Sequence, residues 1–281
     1  MSNNQFFITD EKINEYLSYL RDEERAPATI EKYSRDIRSF KNFLDGGEAT
    51  KQAAITWENK LCETRKKTSV NAMLVAVNGF FSYFGFKIKM KLAKIQKNTF
   101  IPKNKIMTYG DYGRLINTAR AQNDEQLVLL MQTLGSTGIR VSELKFITVE
   151  TVRNGYAEVT NKGKTRIVFI SEDLKKVLLP YAKKKGIKSG YIFITRNGKP
   201  LDRSNIWRKI KNLSEAAGVE KSKVFTHNFR KIFASRFYGK SKDIAKLADI
   251  LGHSSVSTTR LYIMEGGEKH LKIIESLKMV I

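Results

Sequence analysis

The chain has 281 residues and is 41% hydrophobic, enough for a core of ordinary size, yet it carries 51 lysines and arginines against 28 acidic residues, a net charge of +23. Its single cysteine, Cys62, excludes a disulfide framework and a thiolate metal cluster. The first residues lack the basic start and apolar run of a secretory leader, and no apolar run approaches the ~20 residues that span a bilayer, so a cytoplasmic, nucleoid-associated protein is expected.

The first hundred residues hold 17 basic and 12 acidic side chains and the remainder 34 and 16, so the surplus is +5 and then +18. Spread through patterned segments rather than one tail, it suits the neutralisation of phosphates, and nucleic acid is the expected partner.

DEKINEYLSYLRDEE places Ile13, Tyr16, Leu17 and Leu20 on one helical stripe, with Thr9 or Asp10 as its cap. APATIEKYSRDIRSFKNFLDGG repeats the period through Ile30, Tyr33, Ile37, Phe40 and Phe43, with Thr29 as the expected N-cap and Gly46–Gly47 as the stop. TSVNAMLVAVNGFFSYFGF is apolar enough for the centre of a bundle. A small helical domain is therefore predicted over residues 1–95. KIKMKLAKIQKNTFIPKNKIM, residues 87–107, is basic and weakly periodic, and Pro102 stops any helix. Residues 96–106 read as a linker, and Lys87, Lys89, Lys91 and Lys94 as DNA contacts. For the first half of this stretch, a frayed helix end followed by a surface loop is the competing reading.

The larger domain, 107–281, opens with helices in TYGDYGRLINTAR and DEQLVLLMQTLGSTG, and RVSELKFI begins another. GYAEVTNKGKTRIVFI alternates around NKGK and predicts a β-hairpin with basic residues at its tip, Lys162 and Lys164, followed by Arg166. Further helices are expected at 172–186, 203–217, 226–238, 242–250 and 255–263. After Gly266–Gly267 a tail of about 266–281 carries Leu271, Ile274 and Leu277 as a short apolar stripe, which either covers its own domain or docks elsewhere. The class is mainly α with a small β-sheet.

Several short patterns carry chemistry. In THNFRKIFASRFY, His227 and Arg230 share a helical face near a helix start, which favours an anion. Arg140 follows the Gly-Ser-Thr-Gly break, with Glu143 placed at i+3 to hold its guanidinium. The GKT of the hairpin is no phosphate loop: the glycine required five positions before Gly163 is Glu158, and the turn joins two strands. ATP binding is thereby rejected. In LGHSSVSTTRLYIM, Gly252 ends a helix, His253 sits in the turn, Ser255 or Ser257 caps the next helix, and that helix carries Tyr262. Two arginines, two histidines, a lysine and a tyrosine form an inventory for phosphoryl transfer to an oxygen nucleophile. Guanidiniums bind the non-bridging oxygens of a phosphodiester, and charge grows there in the transition state. The sequence offers no dense carboxylate cluster for two metals, so no cofactor and no metal are expected.

The order TGIRVSEL, hairpin lysine, HNFRKIFAS and LGHSSVSTTRLY resembles the tyrosine recombinase (phage integrase) family, and the helical N-terminal region resembles that family's SAM-like core-binding domain. The likeness covers nearly the whole chain. It implies Tyr262 as the nucleophile that forms a 3′-phosphotyrosyl bond and releases a 5′-hydroxyl. It further implies Arg140, His227, Arg230 and His253 around the scissile phosphate, and Lys162 as the group that protonates the leaving oxygen, with Lys164 as the competing assignment. The first helix begins near residue 10, which leaves no room for an arm-binding domain and favours a compact Xer-like type. The partners implied are double-stranded DNA with paired inverted-repeat-like core sites, gripped between the two domains, and a homotetramer on DNA joined through the tail. Accessory DNA-bending or directionality proteins are a further implied class. The other readings are a non-catalytic basic DNA-binding regulator and a type IB topoisomerase-like relaxer.

Overall fold

The structure, a computed structural model, describes residues 5–95, 106–161, 163–263 and 275–277, and of Asn161 and Lys164 the backbone. The chain divides into two compact units, Met1–Lys97 and Asn98–Ile281.

In the first unit, helix α1 (Asp10–Asp22) is capped by Thr9, whose Oγ1 accepts the Lys12 N–H, and it buries Ile13, Tyr16, Leu17 and Leu20. Helix α2 (Pro27–Leu44) has its N-cap at Ala26, three residues before the expected Thr29, because a proline with its fixed φ fits the first helical position and gives up no needed donor. Helix α3 (Lys51–Thr64) was not predicted: its apolar side is only Ala54, Trp57 and Leu61 between charged residues. Helix α4 (Lys67–Tyr83) is the predicted centre, with Leu74, Val77, Phe80 and Phe81 fully buried against Phe40 of α2.

The segment after α4 is neither a frayed helix nor a free loop. Two asparagines of α4, one helical heptad apart, hold it in the manner of a strand partner. The amide of Asn78 brackets Met90, with its Nδ2 donating to the Met90 carbonyl (2.9 Å) and its Oδ1 accepting the Met90 N–H (2.8 Å). Asn71 brackets Ala93 in the same way at 2.8 and 2.9 Å. Met90 is thereby buried, and Lys87, Lys89, Lys91 and Lys94 face solvent. The predicted linker, residues 96–106, lies outside the described residues except at Ile106.

The second unit is built on helix α6 (Glu125–Thr137), buried on most sides and packed between α5 (Tyr109–Ala121), α8 (Glu172–Lys184) and α10 (Thr226–Ser241). Gly138 ends α6 in the left-handed region, φ +63°, and a Cβ there would lie 2.4 Å from the Phe233 ring of α10. Only glycine lets these two helices approach so closely.

RVSELKFI, expected to begin a helix, forms a 3₁₀ helix, Val141–Phe146. Thr148 caps a new short helix, α7 (Val149–Asn154), through a reciprocal bond with Thr151, so only six residues remain for the intervening turn. Strands β1 (Tyr156–Asn161) and β2 (Lys164–Phe169) pair antiparallel with Asn161 opposite Lys164, the predicted hairpin. Helices α9 (Arg203–Ala216), α11 (Ile244–Leu251) and α12 (Val256–Ile263) complete the unit. Helix α11 starts later than predicted because Asp243 supplies its cap, accepting the Lys246 N–H at 2.9 Å. The predicted tail, about 266–281, lies outside the described residues apart from 275–277.

Candidate active site

The last turn of α11 is where the site begins. Gly252 holds φ +62° and turns the chain so that His253 follows, its N–H donating back to the Ala248 carbonyl at 3.0 Å. His253 Nε2 meets Arg230 Nη2 at 3.2 Å and its Nδ1 meets Thr259 Oγ1 at 2.9 Å. Arginine is only a donor, so Nε2 accepts and the ring carries its proton on Nδ1, donating to the buried Thr259.

Arg230 is among the largest fully buried side chains, 1% exposed. A buried guanidinium needs compensation, and two helix C-termini supply it: Nη1 donates to the carbonyl of Gly138, the cap of α6, and Nη2 to that of Leu251, the last residue of α11. Both carbonyls lie at the negative ends of helix dipoles. Burial nevertheless lowers its pKa to about 10, with Arg140 adding to the effect. Its Nε is buried without a hydrogen-bond partner among the described residues.

Arg140 caps the 3₁₀ helix, donating its backbone N–H to Glu143 Oε2 (2.9 Å) and its Nη1 to Oε1 (2.8 Å). The side chain keeps 30% of its surface exposed, and Nη2 reaches toward the Gly252 carbonyl at 3.5 Å. Glu143 itself is 1% exposed. Arg140, His227 and Arg230 line one cavity of about 200 Å³ together with Arg203 at the start of α9.

Tyr262, on α12, turns into the same site. Its hydroxyl is hydrogen-bonded to His227 Nε2, and its ring lies 5.0 Å from that imidazole and 4.7 Å from the His253 ring, centroid to centroid. The Arg230 guanidinium stands 5.9 Å from its centroid. Burial, then the charges of Arg230 and Lys231, lowers the pKa of His227 to about 4, and burial with Arg230 and Arg140 lowers that of His253 to about 4. Both rings are neutral at pH 7.

Five of the six predicted catalytic residues, Arg140, His227, Arg230, His253 and Tyr262, are thus brought into one site by four helix ends and a turn. The sixth, Lys162, lies outside the described residues, as does the side chain of Lys164. Arg166 departs from its expected role as a DNA contact: it sits opposite the buried Val159 on the inner face of the hairpin, its side chain is 10% exposed, and it grips Glu143. Thr259 and Arg203 were not singled out in the sequence. A threonine at His253+6 carries no signal of its own, whereas the placement of Arg203 follows only from the way α9 docks. Among the described residues no group of three or more His, Cys, Asp and Glu is placed to hold a metal ion, and no helix is long and apolar enough to cross a membrane.

Residues 105–266 match the family model described as the phage integrase family, and residues 13–84 that of the phage integrase N-terminal SAM-like domain. Tyrosine recombinase XerA of Pyrococcus furiosus is 29% identical over 276 residues, covering 94% of this chain and 93% of its own. Tyrosine recombinase XerC of Thermodesulfovibrio yellowstonii is 28% identical, covering 93% and 92%. Among solved structures, a XerA recombinase crystal structure aligns over 98% of this chain and 100% of its own at 25% identity, TM-score 0.53. A lambda integrase tetramer bound to a Holliday junction aligns over 93% and 78%, at 17% identity and TM-score 0.75, a likeness of fold.

Proposed function

The chain belongs to the phage integrase family and is a site-specific tyrosine recombinase, and from that premise we propose that Tyr262 attacks a DNA phosphodiester held by Arg140 and Arg230, with His227 as the base. The observation that carries this assignment is the hydrogen bond between the Tyr262 hydroxyl and His227 Nε2, beside the guanidiniums of Arg140 and Arg230. A free phenol, pKa ~10, is a poor nucleophile at neutral pH. A neutral imidazole already bonded to it takes the proton as the P–O bond forms, without the cost of first making a phenolate.

The phosphate seats in the cavity lined by Arg140 and Arg230. The partnerless Nε of Arg230 gains a non-bridging oxygen there, and the exposed edge of Arg140 gains another. Arg166 is paired with Glu143, and Arg140 and Arg230 bring two further positive charges, which suits an anion that passes from one negative charge toward two. The bond from phosphorus to the 5′-oxygen breaks, Lys162 of the hairpin protonates that oxygen, and the 3′-phosphate stays on Tyr262. The energy of the broken bond is kept for rejoining, so ATP has no part in strand exchange.

Two surfaces extend the grip along DNA. The exposed Lys87, Lys89, Lys91 and Lys94 form one. The other is a groove of about 1050 Å³ between α1 and α2, lined by Arg21, Arg25, Arg35 and Arg38 among others. These arginines were legible only as i+3 and i+4 pairs. The reading includes paired inverted-repeat-like core sites, a tetramer on DNA and action at the nucleoid. Relatives of the same fold are described as bound to a core site and, as a tetramer, to a Holliday junction. The tail beyond Gly266 is proposed to dock on a neighbouring protomer. Truncation after Gly266 is expected to abolish cooperative binding to paired sites in a gel-shift titration while single-site affinity persists. Unchanged cooperativity removes the docking role.

The test of the whole reading is covalent capture on a nicked duplex cut from DNA flanking the gene, followed by mapping of the phosphate. An adduct at Tyr262 supports it, and binding without any adduct overturns it. The histidines set the pH dependence. Both are lowered from 6.5 to about 4 in the free protein, and a base lowered in this way stays in its active neutral form until the pH nears the lowered value. The second-order rate of adduct formation, measured with sub-saturating DNA, is therefore expected to be level from pH 7.5 to 5.5 and to fall only below that. An acid limb centred near 6.5 would show that at least one of the two imidazoles is not held neutral.

A further inference from the structure

We infer that Arg166 is a positioning residue for cleavage: from strand β2 it locks the Glu143 carboxylate and the α11–His253 turn into one frame, which holds the Arg140 guanidinium ready for the phosphate. The inference rests on the recombinase reading and adds to it a residue that touches no reacting atom.

The strand pattern hides it. Across the hairpin Tyr156 pairs with Phe169, Glu158 with Ile167, and Val159 with Arg166. Ile167 and Phe169 are exposed, so the apolar residues of β2 lie on both faces while the arginine points inward with Val168. An arginine on the buried face of a two-stranded sheet is costly unless every donor is used. Here Nη1 and Nη2 donate to the two oxygens of Glu143 at 3.2 and 2.8 Å, and Nε donates to the Ile250 carbonyl in the last turn of α11 at 3.3 Å.

Those three bonds connect three parts of the site. Glu143 also accepts from the Arg140 backbone and from its Nη1. Arg166 supplies two N–H groups to this carboxylate, so Arg140 spends one side-chain bond on it and keeps its exposed edge for a ligand. Were Arg166 absent, the buried carboxylate would lose two of its donors and draw the Arg140 guanidinium inward, away from the phosphate. The contact to Ile250 fixes the helix end whose next residues are Leu251, Gly252 and His253, partners of Arg230 and Arg140. Gly252 is shaped for this: a Cβ there would lie 2.5 Å from Arg166 Cδ, so the arginine lies directly on the turn. Lysine cannot reproduce the arrangement, because one ammonium reaches either the carboxylate or the Ile250 carbonyl, and never as a fork.

The test compares the full-length wild-type chain with Arg166→Met and Arg166→Lys on the nicked duplex at saturating DNA. The cleavage rate is expected to fall about 10²-fold in Arg166→Met, the size of effect that a small misplacement of catalytic groups produces. Arg166→Lys is expected to recover about a tenfold part of that loss. In both, Kd and its salt dependence stay within twofold of wild type, a split between chemistry and binding that general loss of structure does not give. Cleavage within threefold of wild type overturns the inference. So does a loss confined to Kd with the salt slope reduced by about one, the mark of a phosphate contact. Should Arg166→Met fail to fold, Arg166→Lys decides alone by the same criteria. A wild-type chain that forms no adduct condemns the recombinase chemistry instead, so the two failures are distinct.

Discussion

Tyr262→Phe is expected to lose covalent capture by at least about 10⁴-fold, as removal of a nucleophile does in other covalent enzymes, while binding site DNA within twofold of wild type. The phenylalanine keeps the ring between the His253 and His227 imidazoles, at 4.7 and 5.0 Å, so the packing of α12 on α10 survives. What disappears is the oxygen and its bond to His227, a loss of about 0.5–1.5 kcal/mol in stability. Binding is carried by guanidiniums and lysines that the substitution leaves alone. The measurement is a denaturing gel of protein with end-labelled nicked duplex, beside a native gel of the same samples. A shifted native band with no denaturation-resistant species is the expected pair. An adduct persisting in the variant would move the nucleophile to another side chain, and the contact between Tyr262 and His227 would then have no catalytic meaning.

The sequence carried the parts of this site that local rules can express, and missed those set by long-range packing. Helices α1, α4 and α10 follow from apolar spacing, and the turn at Gly252 from a glycine that ends a periodic run. Arg140, His227, Arg230, His253 and Tyr262 were singled out through order and residue type, and the structure brings them together. No local rule says that Arg230 is buried, since its helix face mixes Phe229, Ile232 and Phe233 with basic residues. Its burial depends on two helix C-termini meeting from α6 and α11, 92 and 21 residues away. Arg166 was misread for the same reason. Beside Lys162 and Lys164 it looks like one more basic residue of a hairpin tip, and only the pairing register turns it inward. The 3₁₀ helix escaped because six residues of α-helical composition are wound more tightly between the Gly138 cap and the Thr148 cap. Helix α3 escaped because its buried side is one tryptophan, one leucine and one alanine wide.

Arg230 is also the residue whose replacement tests whether burial serves chemistry or only structure. Arg230→Lys is expected to lower the cleavage rate at saturating DNA by about 10²–10³-fold, the loss typical of one preorganised donor at a developing negative charge. The ammonium brings the charge but not the fork. It cannot reach the Gly138 and Leu251 carbonyls together and still leave a donor for the phosphate in the place where Nε now lies unpaired. Arg230→Ala goes further. It leaves two helix-end carbonyls without their donor, about 1–3 kcal/mol for each if it stays buried, and it opens a space between α6, α10 and α11. Against that stands the relief of removing a buried cation, whose cost is visible in a guanidinium pKa lowered to about 10. A melting temperature close to wild type for Arg230→Ala together with a lost cleavage rate would show that the site keeps this charge buried for the phosphate. Equal losses of stability and rate in the lysine variant would instead make Arg230 a strut between helix ends, and the phosphate would then rest on Arg140 alone.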